Sequence, residues 1–239
     1  MSSSERVQKD TTLQPQEEDR TNIDFVPDTG LIFIDTSAIN WVYPGDYRGK
    51  SVGKYRALTT THSNQILQLL QENPNIRTTR EVVKEVYDTL VEIRRRIKAS
   101  GEHCFQKEGT IKKLRLKRAI YEIIRKERVD VNYTQDSKLE HEVQTLLPVV
   151  NRIFLREKGT LKQPYTDTRL IAHALMHAKQ DATGIFSCDL PLLRAWACCT
   201  REIGLTLQRT FVCDGFCRIT SPTQEYRKQQ SYGHGPVVK

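Results

Sequence analysis

Two aspartates each follow a short apolar run that predicts a buried β-strand. Asp35 comes directly after Leu31–Ile34 (LIFI), and Asp189 closely follows the run Gly184–Ser187 (GIFS). In sheets of parallel strands, binding sites form just outside the carboxyl ends of the strands. Either aspartate alone is typical of a helix cap, but two acids at the ends of two different strands favour a shared chemical site.

Asp167 lies at the predicted start of a helix and on its apolar side. At helical spacing it shares a face with Leu170, Ile171 and Ala174. The helix dipole stabilises an acid in the first turn, which explains part of this placement. It does not explain why the carboxylate faces the apolar side, where a charge is costly unless it is paired or binds a cation.

The fourth candidate acid is a glutamate on another predicted helix. Glu81 and Glu85 lie one turn apart, on a stripe of acids that could also be the solvent side of that helix. Because each residue turns the helix by about 100°, Glu85 lies nearer than Glu81 to the apolar face of Val82 and Val86. We therefore choose Glu85 as the inward-facing acid and keep Glu81 as the second choice.

The four carboxylates of Asp35, Glu85, Asp167 and Asp189 suit the hydrolysis of a phosphodiester bond. Their oxygens are hard ligands of the kind that Mg²⁺ and Mn²⁺ prefer. Acids that converge repel one another unless a divalent cation neutralises them. Such a cation polarises the phosphate and lowers the pKa of an attacking water. The sequence therefore predicts a metal-dependent hydrolase.

The net charge of +8 is concentrated in one segment of the chain. Thirteen Lys and Arg but only five Asp and Glu lie between Glu92 and Arg128, and the rest of the chain carries equal numbers of each sign. An isolated basic helix is typically a solvated, salt-bridged surface. Together with the acidic residues, however, the basic segment favours a polyanion such as RNA. The candidate phosphate contacts are Arg94, Arg95, Arg96, Lys112, Lys113, Arg115, Lys117 and Arg118.

Short apolar strands alternate with amphipathic helices along most of the chain. This order is typical of an α/β fold with a mostly parallel central sheet. Polar residues 1–29 predict a disordered N-terminal arm and residues 221–239 a flexible C-terminal tail, on either side of a domain over 30–220. Within the domain, a helix is expected over 137–156 with a break near Pro148.

In order and context, the acidic motifs resemble those of PIN-domain nucleases. The family pattern has an apolar strand ending in Asp-Thr-Ser or Asp-Thr-Asn, a helical Glu, an Asp before an Ile-Ala-x-Ala helix, and a later strand ending in Thr/Ser-x-Asp. The matching segments here are Leu31–Ser37 (LIFIDTS), Val82–Val86 (VVKEV), Asp167–Ala174 (DTRLIAHA) and Ser187–Asp189 (SCD). The resemblance covers about residues 31–100 and 160–215.

The resemblance implies a three-layer α/β/α PIN-like sandwich and a Mg²⁺ or Mn²⁺ site formed by the four acids. It also implies cleavage of single-stranded or structured RNA, with the hydroxyls of Ser37 and Ser187 supporting the acids or the metal-bound water. PIN proteins often form homodimers. Whether a homodimer forms here, and whether an antitoxin-like or other protein partner restrains the enzyme, stays open.

The spacing between Glu85 and Asp167 departs from that of compact, VapC-like toxin nucleases. Eighty-one residues separate the two acids, and they include the basic helices. This surplus predicts a basic helical insertion over about 92–158 that projects from the nuclease core. The small prokaryotic protein-only RNase P enzymes resemble this plan, which favours an RNA-processing enzyme.

Two other classes of protein remain as alternatives. A catalytically inactive PIN-like module would bind RNA or a protein partner without needing all four acids. Phosphotransfer enzymes of the haloacid-dehalogenase or response-regulator kind also place an Asp after a first strand, but dehalogenases need a second Asp where this chain has Ser37. Two other groups of residues could be read as metal sites, but neither is complete. The sequence suggests no third ligand for His173 and His177, and Cys213-x3-Cys217 lacks the paired short spacings of a zinc site.

The remaining composition bears on location. No apolar stretch approaches the roughly 20 residues that a membrane span needs, and residues 1–10 (MSSSERVQKD) lack the apolar core of a signal peptide. We therefore expect no membrane association and an intracellular location, cytoplasmic or, in a eukaryote, nuclear. The six cysteines are then expected to be free and mostly buried thiols.

Overall fold

The computed structural model describes residues 30–40, 52–99, 108–130, 137–159, 165–206, 209–214 and 219–220. The arm predicted over 1–29 and the tail predicted over 221–239 lie outside these residues. Within the described segments, none of the helices is both long enough and apolar enough to cross a membrane.

Five strands form one sheet in the described chain. They are β1 (Leu31–Ile34), β2 (Ile76–Arg77), β3 (Thr183–Ser187), β4 (Thr210–Asp214) and β5 (Ile219–Thr220), in the spatial order β2-β1-β3-β4-β5. The first four strands pair in parallel, with Ile34 beside Phe186 where β1 and β3 end. The short β5 pairs antiparallel with β4. The predicted α/β class with a mostly parallel sheet is confirmed.

Both faces of the centre of the sheet are covered. Every residue of β3 is buried, and so is every residue of β1 after Leu31, as expected for parallel strands with helices on both sides. Gly184 is required within β3, because a Cβ at this position would lie 2.2 Å from the ring of Phe211 on β4. This coverage is consistent with an α/β/α arrangement in three layers.

Helices surround the sheet, and strands and helices follow one another along the chain largely as predicted. The described residues form α1 (Thr36–Asn40), α2 (Val52–Glu72), α3 (Arg80–Ala99), α4 (Glu108–Ile123), α5 (Ser137–Lys158), α6 (Tyr165–Ala178) and α7 (Leu190–Glu202). A five-residue π-helical turn, Ile124–Arg128, continues α4. The next residue, Val129, forms a parallel bridge with Thr78 beside β2.

Two helices within residues 92–158, α4 and α5, contribute to the hydrophobic core. Ile120 of α4 and Ile124 are fully buried, as are Val150 and Phe154 of α5, and all four join the cluster that contains β1 and β3. Helix α4 packs against α2, and α5 packs against α6 and α7. The segment 92–158, expected to project as an insertion, thus contributes two helices to the body of the domain.

Helix α5 continues through Pro148, so the predicted break there was wrong. A proline inside a helix removes one backbone hydrogen bond and leaves the carbonyl four residues earlier without that partner. That carbonyl belongs to Gln144, and both Gln144 and Pro148 are exposed. Water can replace the missing donor on this side of the helix, so the chain stays helical.

Candidate carboxylate site at the carboxyl ends of β1 and β3

Asp35 is held at the end of β1 by hydrogen bonds from two elements. Its backbone N–H donates to the carbonyl of Phe186 on β3 at 3.0 Å, and the residue is only 3% exposed. The backbone N–H of Thr36 donates to Oδ1 at 2.6 Å, and that of Ser37 to Oδ2 at 3.1 Å. The hydroxyls of Ser37 and Ser187 donate to Oδ2 at 2.5 and 2.9 Å. Four donors therefore fix this carboxylate.

Burial and hydrogen bonding act on Asp35 in opposite directions. Burial raises its pKa above the usual value, because the charged form loses its hydration. The hydrogen bonds from Ser37, Ser187 and Thr36 favour the charged form and lower the pKa, but they offset the effect of burial only in part. The Asp35 carboxyl group is thus buried, held by four donors and harder to ionise than a free aspartate.

Ser37 and Ser187 join the ends of β1 and β3. Their hydroxyl oxygens lie 3.0 Å apart. Besides its bond to Asp35, each hydroxyl accepts a backbone N–H, Ser37 from Cys188 at 3.0 Å and Ser187 from Asp189 at 2.9 Å. The two serines therefore hold Asp35 and also position the backbone that carries Asp189.

Glu81 and Glu85, one turn apart on α3, have different partners. The hydroxyl of Thr36 donates to Oε2 of Glu85 at 2.7 Å, and Thr36 is the residue after Asp35. Oε1 of Glu81 lies 2.9 Å from Nε of Arg169 in an ion pair. The structure thus brings Glu85 to the other acids and directs Glu81 to an arginine.

Asp167, in the first turn of α6, is influenced by the other three acids. Burial raises its pKa, and the charges of Asp35, Asp189 and Glu85 raise it further, while Lys158 opposes the change. The result is a pKa of about 7. With this pKa the carboxyl group is partly protonated near neutral pH, mainly because it is buried and further because the neighbouring acids repel its charged form.

Lys158, which the sequence analysis did not single out, reaches into this acidic group from the end of α5. Its Nζ lies 3.4 Å from Oδ2 of Asp167 and 3.6 Å from Oδ2 of Asp189. The same ammonium lies 5.1 Å from the ring centroid of Phe154, one turn earlier on α5. Basic residues are common at helix C-termini because of the helix dipole, so nothing in the sequence distinguished Lys158 from an ordinary surface lysine.

The donor set of the four acids fits a hard divalent cation, because it offers carboxylate oxygens alone. Asp35, Glu85, Asp167 and Asp189 are the residues that would hold it. With the side chains as they stand, no group of three or more His, Cys, Asp or Glu in the described segments could hold a metal ion. The ammonium of Lys158 contacts two of the four acids in this arrangement.

The basic residues expected to contact RNA differ in how exposed they are. Arg94 and Arg95 on α3 and Arg115 and Arg118 on α4 are exposed, and α3 packs against α4. Nε of Arg95 lies 2.8 Å from Oε2 of Glu92. The side chains of Arg96, Lys112 and Lys113 lie outside the described residues. The exposed arginines thus occupy two neighbouring helices.

Lys117 differs from these arginines because it is only 4% exposed. Its Nζ donates to the side-chain oxygen of Asn40 at 2.9 Å and to the backbone oxygen at 3.3 Å. Asn40 is the last residue of α1, the helix that begins just after Asp35. Lys117 therefore ties α4 to the helix beside the acids and is not displayed for RNA.

His173 and His177 have a third partner, Asp130, which the sequence analysis missed. Oδ2 of Asp130 lies 3.4 Å from Nδ1 of His173 and 2.9 Å from Nε2 of His177. Burial raises the pKa of Asp130, but the hydrogen bonds to the two histidines outweigh burial and keep that pKa below its usual value. The three residues form a buried polar network that joins α6 to the chain after the π-helical turn.

The described cysteines form no disulfide with one another, as predicted. Cys188, Cys198, Cys199 and Cys213 are all buried, and burial raises the pKa of the Cys199 thiol. Cys104 and Cys217 lie outside the described residues.

Comparisons of this chain with protein-family models, with curated proteins and with solved structures give no match. The functional interpretation therefore depends on the motifs, on the position of the acids in the sheet and on the contacts among them.

Proposed function

We propose that this protein is a metal-dependent endoribonuclease of the PIN type, which hydrolyses RNA phosphodiester bonds with Asp35, Glu85, Asp167 and Asp189. The observation that carries this proposal is a continuous set of contacts among the four acids. Thr36 bridges Asp35 and Glu85, since its N–H bonds to one acid and its hydroxyl to the other. Ser187 bridges Asp35 and the backbone of Asp189, and Lys158 contacts Asp189 and Asp167.

Each acid is suited to a different part of the task. A bound Mg²⁺ or Mn²⁺ would supply Lewis-acid polarisation of the phosphate and activation of a water. Asp35 is the rigid anchor, because four donors fix it, and Thr36 orients Glu85. The side chains of Asp167 and Asp189 are 16% and 28% exposed, so these two acids face the solvent from which substrate and metal arrive. The parallel sheet is compatible with a three-layer PIN-like sandwich.

The exposed arginines of α3 and α4 supply the proposed grip on RNA. Arg94 and Arg95 lie on the same helix as Glu85, between two and three turns farther along. Arg115 and Arg118 lie one turn apart on α4. Guanidinium groups bind phosphates with paired hydrogen bonds. An RNA bound by these arginines would therefore lie along α3, the helix that carries Glu85, and along the neighbouring α4. Such an enzyme would act on RNA inside the cell.

A second candidate function is a catalytically inactive PIN-like module that binds RNA or a protein partner. One observation favours it: in the described residues no three side chains form a metal-binding group, and Lys158 already neutralises part of the acidic charge. A binding module would keep this arrangement without metal. The two candidates differ in whether a divalent cation binds and whether RNA is cut.

The test is cleavage of a panel of structured and single-stranded RNAs in Mg²⁺ or Mn²⁺, with the wild-type chain and Asp35→Asn compared. The matched control is Asp181→Asn, the same substitution at an exposed aspartate before β3. We expect metal-dependent cleavage by the wild type and the control, and none by Asp35→Asn. If all three proteins bind RNA and none cleaves it, the nuclease proposal is wrong and the binding module is the better account.

A further inference from the structure

The ammonium of Lys158 has a defined position relative to the acids. Lys158 is the last residue of α5, and Gly159 ends the helix with a φ of 65°, a left-handed conformation that favours glycine. The N–H of Gly159 donates to the carbonyl of Leu155 at 3.0 Å. The Lys158 ammonium lies over the buried ring of Phe154, with Nζ 5.1 Å from the ring centroid. From the end of α5 it reaches Asp167 in the first turn of α6.

The ammonium is shared between two acids from different elements. Its distances of 3.4 Å to Asp167 and 3.6 Å to Asp189 are similar, and both exceed the roughly 2.7–2.9 Å of a strong charge-assisted hydrogen bond. Lys158 therefore neutralises both carboxylates without being locked to either. Its side chain is 31% exposed, so it can leave this position for the solvent without a change of the core.

The ammonium of Lys158 and a divalent cation would act on the same two acids. Both neutralise Asp167 and Asp189, and a carboxylate oxygen that pairs with an ammonium is less available to a metal. The ammonium lies at Oδ2 of Asp167 and at Oδ2 of Asp189. An ammonium and a divalent cation repel each other, so binding of a metal through these same two oxygens requires the ammonium to move away from them.

We propose that Lys158 is a built-in counter-cation, which pairs with Asp167 and Asp189 in the metal-free protein and is displaced when a divalent metal binds. This inference rests on the proposed function, since it concerns the same acids. Lys158 then sets the metal concentration at which the site fills. Without metal it limits repulsion among the acids, and with metal present it competes for two of the ligands.

The experiment is a calorimetric titration of the full chain with Mn²⁺, comparing wild type with Lys158→Met and Lys158→Arg. Removal of the competing charge should tighten Mn²⁺ binding about tenfold, the order expected for one partly buried ion pair. The arginine variant keeps the charge and should stay within a small factor of the wild type. The matched control is Lys126→Met, which removes an exposed lysine whose Nζ lies 3.4 Å from Glu122, away from the site.

Thermal unfolding of the same proteins gives a second readout. In the metal-free state Lys158→Met should unfold at a lower temperature than the wild type, and Mn²⁺ should raise its unfolding temperature by a larger amount. Unchanged or weaker Mn²⁺ binding by Lys158→Met, with wild-type binding intact, would overturn the competition and leave the proposed nuclease standing. Absence of Mn²⁺ binding by every variant would instead refute the metal site itself.

Discussion

Two acidic clusters lie next to each other on α3 and α6, and they differ in charge balance. In the first, Arg169 pairs with Glu81 at 2.9 Å and with Glu140 of α5 through two bonds of 2.9 and 3.0 Å. In the second, Asp167 lies near Asp35, Glu85 and Asp189, and Lys158 contacts Asp167 and Asp189. One turn of α3 separates Glu81 from Glu85.

The comparison separates a cluster held by a buried cation from one that keeps an excess of negative charge. The guanidinium of Arg169 is 7% exposed and bound by two carboxylates, so it joins three helices much as a crosslink would. In the second cluster, burial and the neighbouring acids raise the pKa of Asp167 to about 7. The divalent cation of the proposed function would neutralise these acids and remove their mutual repulsion.

The largest difference should appear in catalysis with Asp167→Asn. Lewis-acid stabilisation is worth several kcal/mol and each 1.4 kcal/mol is a factor of ten in rate, so loss of a ligand should slow cleavage about a thousandfold. Single-turnover cleavage of a substrate RNA at saturating Mn²⁺ measures this. Cleavage within threefold of wild type would remove Asp167 from the site.

The same substitution should stabilise the metal-free fold at alkaline pH. The folded pKa of Asp167 is raised from 3.8 to about 7, so its contribution is complete below pH 4 and is lost as the pH rises toward 7. Since asparagine resembles the protonated acid, Asp167→Asn should match wild type at pH 4 and exceed it at pH 8 by on the order of 3 kcal/mol. Urea unfolding in EDTA at both pH values tests this, and a difference that does not change with pH would contradict it.

The cluster around Arg169 should respond in the opposite way to loss of its central charge. Arg169→Met leaves Glu81 and Glu140 facing each other without a cation, and their side chains are 23% and 34% exposed. Removing one partner of a buried pair is strongly destabilising, and we expect about 2 kcal/mol here because the acids are partly hydrated. Urea unfolding at pH 7 measures the change, with Arg152→Met, an exposed partner of Glu202, as the control. If Arg169→Met unfolds with the same free energy as the wild type, Arg169 does not stabilise the fold and the proposed difference between the two clusters is wrong.

A smaller effect should follow from Ser187→Ala. The hydroxyl donates to Asp35 and accepts from the N–H of Asp189, and loss of such supporting groups typically reduces metal affinity or activity by about tenfold. Cleavage rates and Mn²⁺ titrations should both show the loss. Thr145→Ala, which removes a hydroxyl from the exposed side of α5, provides the control and should leave both quantities unchanged.

The smallest effect should come from the exposed arginines. Arg115→Glu and Arg118→Glu should each weaken RNA binding and lower the slope of log affinity against log salt by about one for each phosphate that is no longer neutralised. RNA binding measured across a salt series, in Ca²⁺ or EDTA to prevent cleavage, distinguishes this from a local structural change. An unaltered slope would show that α4 does not contact RNA.

The acids could be anticipated where local pattern determines their place. Asp35 and Asp189 end or closely follow apolar runs, and the carboxyl ends of parallel strands meet at one edge of a sheet. Glu85 was chosen over Glu81 because a helix turns by about 100° per residue, which places Glu85 nearer the apolar face. The structure brings Glu85 to Thr36 and Glu81 to Arg169, so this distinction was available in the sequence.

The cations could not be placed from the sequence. Lys117 and Lys158 both lie within residues 92–158, yet one is buried against Asn40 and the other contacts two acids. Their roles depend on how α4 and α5 pack, and that packing joins residues far apart in the chain. For the same reason Asp130 gave no sign of its bonds to His173 and His177.

The serine bridge between β1 and β3 has a consequence for synthesis of the chain. Asp35 emerges early from the ribosome, but its hydrogen bonds to Ser187 and the pairing of Ile34 with Phe186 wait for residues about 150 positions later. Closing so long a loop is slow relative to local helix formation. A nascent or truncated chain therefore carries Asp35 without the partners that hold its carboxylate, so the acidic site forms only after the β3 residues have been made.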